Sequence, residues 1–262
     1  SIPGIDGEGI YSLWTIPDTD KIREMVDQKM PKTAAVIGGG FIGLEMAENL
    51  HKRGIKITVI EAQDQIMTTL DSEMAQLLRE NMEMNNVELY LGDGVKSFEA
   101  NKGSTTIKLA SGKTLEVDLV ILSIGIKPNS NLAKDCGIKI NQRGGIIVDK
   151  NMRTSAQNIW AVGDVIEIEN FITKTPGMIP LAGPANKQGR IVADNIVKVQ
   201  QNNNSELEEY KGSMGTAVAQ VFDLTAASVG TNEKTLISSG SIKNKNYYVA
   251  LINQKSHAGY YP

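Results

Sequence analysis

Apolar positions recur along the chain in two periods, and the switches between them outline the fold. Ala34 to Ile37 is a short continuous apolar run, and Phe41, Ile42, Leu44, Ala47 and Leu50 then recur at helical spacing. Gly54 suits the cap of that helix, and Ile57 to Ile60 is a second apolar run, so the segment predicts a βαβ unit. Upstream, Pro3-Gly4, Gly7 and Gly9 break structure before Pro17-Asp18-Thr19-Asp20 opens a short helix through Met30. Downstream, Asp71 and Ser72 can cap another helix with Met74, Leu77, Leu78 and Met82 on its core face, followed by a strand near Val87 to Leu91. Val95 to Glu99, Thr105 to Leu109 and Thr114 to Glu116 cluster around Gly103 and Ser111-Gly112, which predicts antiparallel hairpins. The run Leu119 to Ile124 predicts a strand covered on both faces and ending at Gly125, where the carboxyl end of a parallel strand meets ligand. Beyond Gly144-Gly145, Ile146 to Val148 and Ile159 to Val162 predict two short strands, the second running into Gly163-Asp164. A helix opens after Leu181-Ala182, with Pro184 near its first turn, and gives way to a polar linker at Gln200 to Ser205. Val218 to Phe222, Tyr247 to Ile252 and the glycines between them predict an α+β segment.

The hexapeptide Gly38-Gly39-Gly40-Phe41-Ile42-Gly43 sits between the first run and its helix and reads as a phosphate cradle. Gly38 permits the tight turn, Gly40 lets a pyrophosphate approach the backbone, and Gly43 lets the helix pack close to the sheet. The free N–H groups and positive dipole end of the helix then favour phosphate. Glycines also make ordinary strand-to-helix turns, so the neighbourhood decides. Here Glu61 closes the second run about 20 residues on, where a carboxylate accepts hydrogen bonds from the adenosine ribose hydroxyls.

Composition narrows the setting. The 262 residues, 41% hydrophobic, suffice for one large or two ordinary globular domains. A net charge of -3 offers no basic face for nucleic acid, and no apolar run approaches a membrane span. The single cysteine, Cys136, excludes an intramolecular disulfide framework and fits a reducing, cytoplasmic compartment.

Four segments, Ala35 to Glu45 (AVIGGGFIGLE), Val117 to Pro128 (VDLVILSIGIKP), Thr154 to Asp164 (TSAQNIWAVGD) and Pro180 to Arg190 (PLAGPANKQGR), resemble the flavin-dependent pyridine nucleotide-disulfide oxidoreductases. Within that family the chain is similar to the branch of coenzyme A disulfide reductases and NADH oxidases or peroxidases, and SHAGYYP at Ser256 to Pro262 leans toward the former. The resemblance implies an α/β fold: a Rossmann-like nicotinamide-binding domain with an antiparallel β-meander, part of a flavin-binding domain and the start of an α+β dimerisation domain. The implied boundaries are 1–31 for a lead-in or hinge, 32–145 for NAD(H) binding, 146–205 for the second half of the FAD domain, and 206–262 for the dimerisation start.

The resemblance also implies roles. FAD and NADH, with NADPH as the alternative nucleotide, are the cofactors, and Gly38, Gly40, Phe41, Ile42, Gly43, Glu45, Glu61, Gly125, Gly163, Asp164, Leu181 and Ala182 are the candidate cofactor-binding residues. Phe41 matches the gate over the nicotinamide pocket, and Glu45 a carboxylate beside nicotinamide and flavin. Asp164 matches the acceptor for the flavin ribityl chain, and Leu181 and Ala182 match backbone contacts ahead of a helix aimed at the flavin pyrimidine. Asn186 and Lys187 match the substrate channel, and Tyr260 and Tyr261 a catalytic pair reaching the reacting sulfur across a homodimer interface. Lys187 also reads as a surface lysine, the tyrosine pair as packing, and His257 as a structural histidine. Two departures stand out: the chain has neither the family's earlier glycine-rich flavin motif nor its redox cysteine, and Cys136 reads as a small packing residue. The expectation is the middle portion of an enzyme that passes hydride from nicotinamide to FAD and reduces coenzyme A disulfide or persulfide. The alternatives are reduction of oxygen or peroxide, or a non-catalytic nicotinamide-binding fragment.

Overall fold

The computed structural model describes residues 2–203 and 206–254. Strand β1 (Ile10–Ser12) leads into helix α1 (Ile16–Glu24), which continues as a π-helical turn at Met25–Lys29. The glycine-rich unit follows as β2 (Thr33–Ile37), α2 (Phe41–Lys52) and β3 (Lys56–Glu61), then α3 (Ser72–Met84) and β4 (Glu88–Leu91). A meander of β5 (Val95–Ala100), β6 (Thr105–Leu109) and β7 (Thr114–Val117) precedes β8 (Leu119–Leu122). The five strands outside the meander form one parallel sheet in the order β1-β8-β2-β3-β4, with Val36 of β2 opposite Val59 on one side and Ile121 on the other.

That topology explains the unbroken apolar runs. On one face Val36, Ile57, Val59 and Ile121 pack with Leu44, Ala47 and Leu50 of α2 and Leu78 and Met82 of α3. On the other, Ala35, Ile37, Ile60 and Val120 pack against Phe98, Ile107, Leu109 and Val117 of the meander. Parallel strands covered on both faces have no polar side to alternate with.

Three expectations shift in this region. Ile10–Ser12, within the expected lead-in, is an edge strand paired with β8. The buried stripe of α3 is Ala75, Leu78 and Met82, while Met74 and Leu77 are exposed, because the small Ala75 takes the contact position one residue from the expected one. β8 stops at Leu122: Ser123 still donates its N–H to the Ile37 carbonyl at 2.7 Å, and Ile124 and Gly125 then turn out into solvent.

The following stretch holds α4 (Asn131–Asp135), β9 (Ile146–Ile147), a 3₁₀ turn at Gly163–Val165, β10 (Ile166–Glu169), β11 (Pro176–Gly177) and α5 (Ala182–Gln200). Its three short strands run β11-β10-β9, over a core that includes Ile146, Ile166, Ile168 and Ile191. The expected strand at Ile159 to Val162 does not form: with no neighbouring ladder to join, it makes a single bridge from Trp160 to Arg153. The hairpin of β12 (Ala217–Val221) and β13 (Leu224–Ser228) places Ala219, Val221 and Phe222 in the core beneath α2.

Residues from Thr231 on form a separate unit, described here through Gln254. Its α6 (Glu233–Ser238) is capped by Asn232, whose side chain accepts the Thr235 N–H at 3.0 Å. The expected strand at Tyr247 to Ile252 is absent; the backbone makes one bridge between Lys243 and Tyr247, and the Tyr247 hydroxyl donates to Glu233 at 2.9 Å.

Candidate functional site

The glycine loop is shaped by contacts that exclude a side chain. Gly38 has φ +107° and would place a Cβ 2.1 Å from the Ser123 carbonyl oxygen, and a Cβ on Gly43 would lie 2.0 Å from the Gly38 oxygen. These clashes bring helix, turn and β8 edge together. Gly40, the N-cap of α2, is different: φ is -83° and a Cβ there would meet nothing within 4 Å. Its open side faces a cavity of about 450 Å³ lined by Gly38, Gly40, Glu61, Thr68, Ser123 and Gly125, among others. Gly125, at φ +97°, is also free of neighbours within 4 Å on its Cβ side.

Glu61, half-buried at the end of β3, uses both carboxylate oxygens on the loop. One accepts the Gly39 N–H at 2.7 Å and the other the Gln63 N–H at 2.8 Å. The Gly38 N–H donates to the Ile60 carbonyl at 2.8 Å, and the Gly39 carbonyl accepts from Met67 at 2.8 Å. The sequence marked Glu61 as a ribose acceptor; the structure adds that it buttresses the cradle. The α2 N-terminus, with orphan N–H groups typical of a helix start, and the open Gly40 border the same cavity as Glu61.

A larger cavity of about 780 Å³ is mostly apolar and is lined by Leu13, Trp14, Ile42, Ile126, Met178 and Pro180, with Asp164, Lys127 and Arg143 among its polar lining. It brings together Ile42 from α2 and Asp164 from the 3₁₀ turn. Phe41 is half-buried and packs on the core beneath the sheet, while the exposed Ile42 faces this cavity. Glu45 is exposed one turn into α2 and lines neither cavity. Gly163 has φ +86° and donates its N–H to Gln188 at 2.8 Å, a partner that the sequence reading missed because a carboxamide on a helix carries no motif. Leu181 is the N-cap of α5 and Ala182 its first residue. Asn186 donates to the Ala182 carbonyl at 2.9 Å within its own helix, and Lys187 is exposed. Cys136 is exposed at the end of α4, in neither cavity, which corrects its reading as a packing residue. Tyr260, Tyr261 and His257 lie outside the described residues. Among the described residues no cluster of His, Cys, Asp and Glu could hold a metal ion, and no helix is long and apolar enough to cross a membrane.

A doubly covered parallel sheet with a glycine loop at the carboxyl end of β2, an acidic residue ending β3 and a cavity between them defines a dinucleotide-binding α/β protein. Comparison makes the class specific: the chain belongs to the pyridine nucleotide-disulphide oxidoreductase family, matched over residues 1–189. It is 29% identical over 259 residues to a coenzyme A disulfide reductase of Staphylococcus aureus (strain JH9), covering 99% of this chain and 56% of that protein. It is similar to the solved structure of reduced Bacillus anthracis CoADR-RHD, with TM-score 0.86 and 45% identity over 92% of this chain and 42% of the other. It is also similar to an NAD-dependent persulfide reductase from A. fulgidus, with TM-score 0.85 and 37% identity over 91% and 43%. The chain thus spans about half the length of the relatives it matches. The family is one of enzymes that use FAD and NAD(P)H.

Proposed function

We propose that this chain binds the nicotinamide nucleotide, and part of the flavin, of an FAD-dependent oxidoreductase that reduces coenzyme A disulfide or a persulfide. The carrying observation is one cavity bounded by the open Gly40, the α2 N-terminus, Glu61 and Gly125. Such a cavity suits an adenosine ribose and a pyrophosphate: the carboxylate accepts from hydroxyls and the helix end attracts phosphate. The neighbouring apolar cavity, with Asp164 at its wall, suits a flat heteroaromatic ring system with a hydroxylated chain.

When bound, FAD supplies the two-electron chemistry. The residues of this chain hold and orient. The glycine loop and α2 would hold the nucleotide phosphates, Ile42 and Trp14 would offer an apolar wall to the flavin, and Asp164 would accept from its hydroxyls. The overall reaction balances as NADH, a proton and one disulfide giving NAD⁺ and two thiols. Cys136 lies outside both cavities and is given no part in it.

Glu61 decides the nucleotide. A 2′-phosphate about 4 Å from its carboxylate meets a repulsion of about 4 kcal/mol at an effective dielectric near 20, cut by salt and exposure to about 1–3 kcal/mol. Calorimetric titration should therefore show NADH binding about 5- to 150-fold tighter than NADPH, with Glu61→Gln narrowing the ratio. Glutamine keeps an acceptor for one of the two loop N–H groups, so the comparison isolates charge better than removal of the side chain. Tighter NADPH binding by the wild type, or no saturable binding of either nucleotide, overturns the assignment.

A further inference from the structure

The buried stripe of α5 is Gln188, Ile191, Val192 and Asn195, a helical repeat in which two of four positions are carboxamides. Burying a carboxamide costs free energy unless its hydrogen bonds are replaced. Asn195 finds its partners just beyond the linker: it accepts the Glu208 N–H at 2.8 Å and donates to the Glu208 carbonyl at 2.9 Å. Gln188, 1% exposed, instead reaches back across 25 residues, and its Oε1 accepts the Gly163 N–H at 2.8 Å.

Gly163 opens the 3₁₀ turn that carries Asp164, and its φ of +86° suits glycine although a Cβ would meet only Ala185, at 3.9 Å. A glycine in that conformation has little intrinsic preference for it and needs an external constraint. Gln188 supplies one. It lies two helical turns beyond Leu181, so a single side chain fixes the Asp164 turn to the helix whose N-terminus begins at Ala182. These are the two segments assigned to flavin contact.

We propose that Gln188 is a positioning residue: by accepting the Gly163 N–H, it sets the Asp164 carboxylate relative to the N-terminus of α5. The flavin consequence rests on the reading of Asp164 given above, whereas the positioning itself does not. Gln188→Leu keeps a buried side chain of similar size without an acceptor. Gln188→Glu keeps a carboxyl oxygen that can accept the N–H whether or not the group is ionised.

Two measurements on the 262-residue chain separate the claims: amide exchange at Gly163 followed by NMR, with the Ile191 amide as reference, and FAD titration followed by flavin fluorescence. Gln188→Leu should speed Gly163 exchange about 5- to 100-fold beyond any change at Ile191 and weaken FAD binding, and Gln188→Glu should restore both. A parallel rise at Gly163 and Ile191, which would mean general destabilisation, overturns the proposal. So does a glutamate variant that behaves like leucine, whereas a selective rise at Gly163 with FAD affinity unchanged leaves the positioning and overturns its flavin consequence. If the wild type binds no FAD while Gly163 responds selectively and is rescued by glutamate, the positioning role stands and the expectation that this chain holds flavin by itself falls.

Discussion

Gly40 and Gly43 belong to the same glycine motif for opposite reasons, which makes them separable by one methyl group. At Gly43 a Cβ would press against the Gly38 oxygen at 2.0 Å, so Gly43→Ala must move helix or loop. The expected outcome is a loss of about 1–3 kcal/mol in stability together with weaker nucleotide binding. At Gly40 the protein leaves the Cβ direction empty and φ is an ordinary -83°. Gly40→Ala should therefore change the unfolding free energy by less than about 1 kcal/mol, the scale of an N-cap replacement, while weakening NADH binding by intruding on the phosphate position. Chemical denaturation and calorimetry on both variants check this pair, and equal affinity in wild type and Gly40→Ala would remove the phosphate from that spot. The sequence motif named both glycines and gave them these two roles. It could not name the atom that excludes a side chain at Gly43, the Gly38 oxygen, because that contact exists only once the turn and helix have formed.

At the scale of elements, α2 is held from below by a contact that its pattern conceals. Glu48 is 5% exposed; one carboxylate oxygen accepts the Phe222 N–H at 2.9 Å and the other pairs with Lys52. Phe222 sits in the turn between β12 and β13 at φ +52°, a conformation unfavourable for a bulky residue, and its ring meets His51 edge-on at 5.2 Å. The helix that presents the glycine loop is thus keyed to a hairpin 174 residues away in sequence. Glu48→Leu leaves the Phe222 N–H buried without an acceptor and should lower stability by about 1–3 kcal/mol, with Glu48→Gln recovering part of the loss. Equal stability of the leucine variant and the wild type in urea unfolding would remove Glu48 as the anchor. Helical periodicity located α2 correctly, but Glu48 read as an ordinary polar position because its partner arrives from a distant hairpin. In α3 the periodicity placed the helix and the core positions Leu78 and Met82, but it also put Met74 and Leu77 on the core face, where Ala75 makes the contact instead. Apolar content alone also suggested a strand at Ile159 to Val162, which has no ladder to enter.

At the scale of the molecule, the parallel sheet must recover β8 after the chain has left to build the meander, and one carboxylate marks the return. Asp118, immediately before β8, accepts the N–H groups of Lys32 and Thr33 at 2.8 and 3.0 Å and the Thr33 hydroxyl at 3.1 Å, at the start of β2. Its own N–H donates back to Thr33 Oγ1 at 3.1 Å. The alternation of runs and glycines made the excursion legible, whereas Asp118 carried no visible signal because its partners lie 85 and 86 residues upstream. Partial burial pushes the Asp118 carboxyl up, but the hydrogen bonds from Lys32 and Thr33 and the Lys32 charge outweigh it and hold the group below its ordinary 3.8. A depressed folded-state pKa means that the unfolded chain binds the proton more readily. The contribution is therefore fully present above the ordinary value and disappears as pH falls through the lower folded value. Asp118→Asn is neutral throughout and turns an N–H₂ or a weaker acceptor toward the same donors. The urea-midpoint gap between wild type and Asp118→Asn should stay constant from about pH 7 to 5 and close as pH drops below about 4. Because each other carboxylate is common to both proteins, the difference reports this junction and not the general acid sensitivity of the chain. A gap that persists unchanged to the acid limit would show that the asparagine acts through packing, and that the charge at Asp118 does not secure the return of β8.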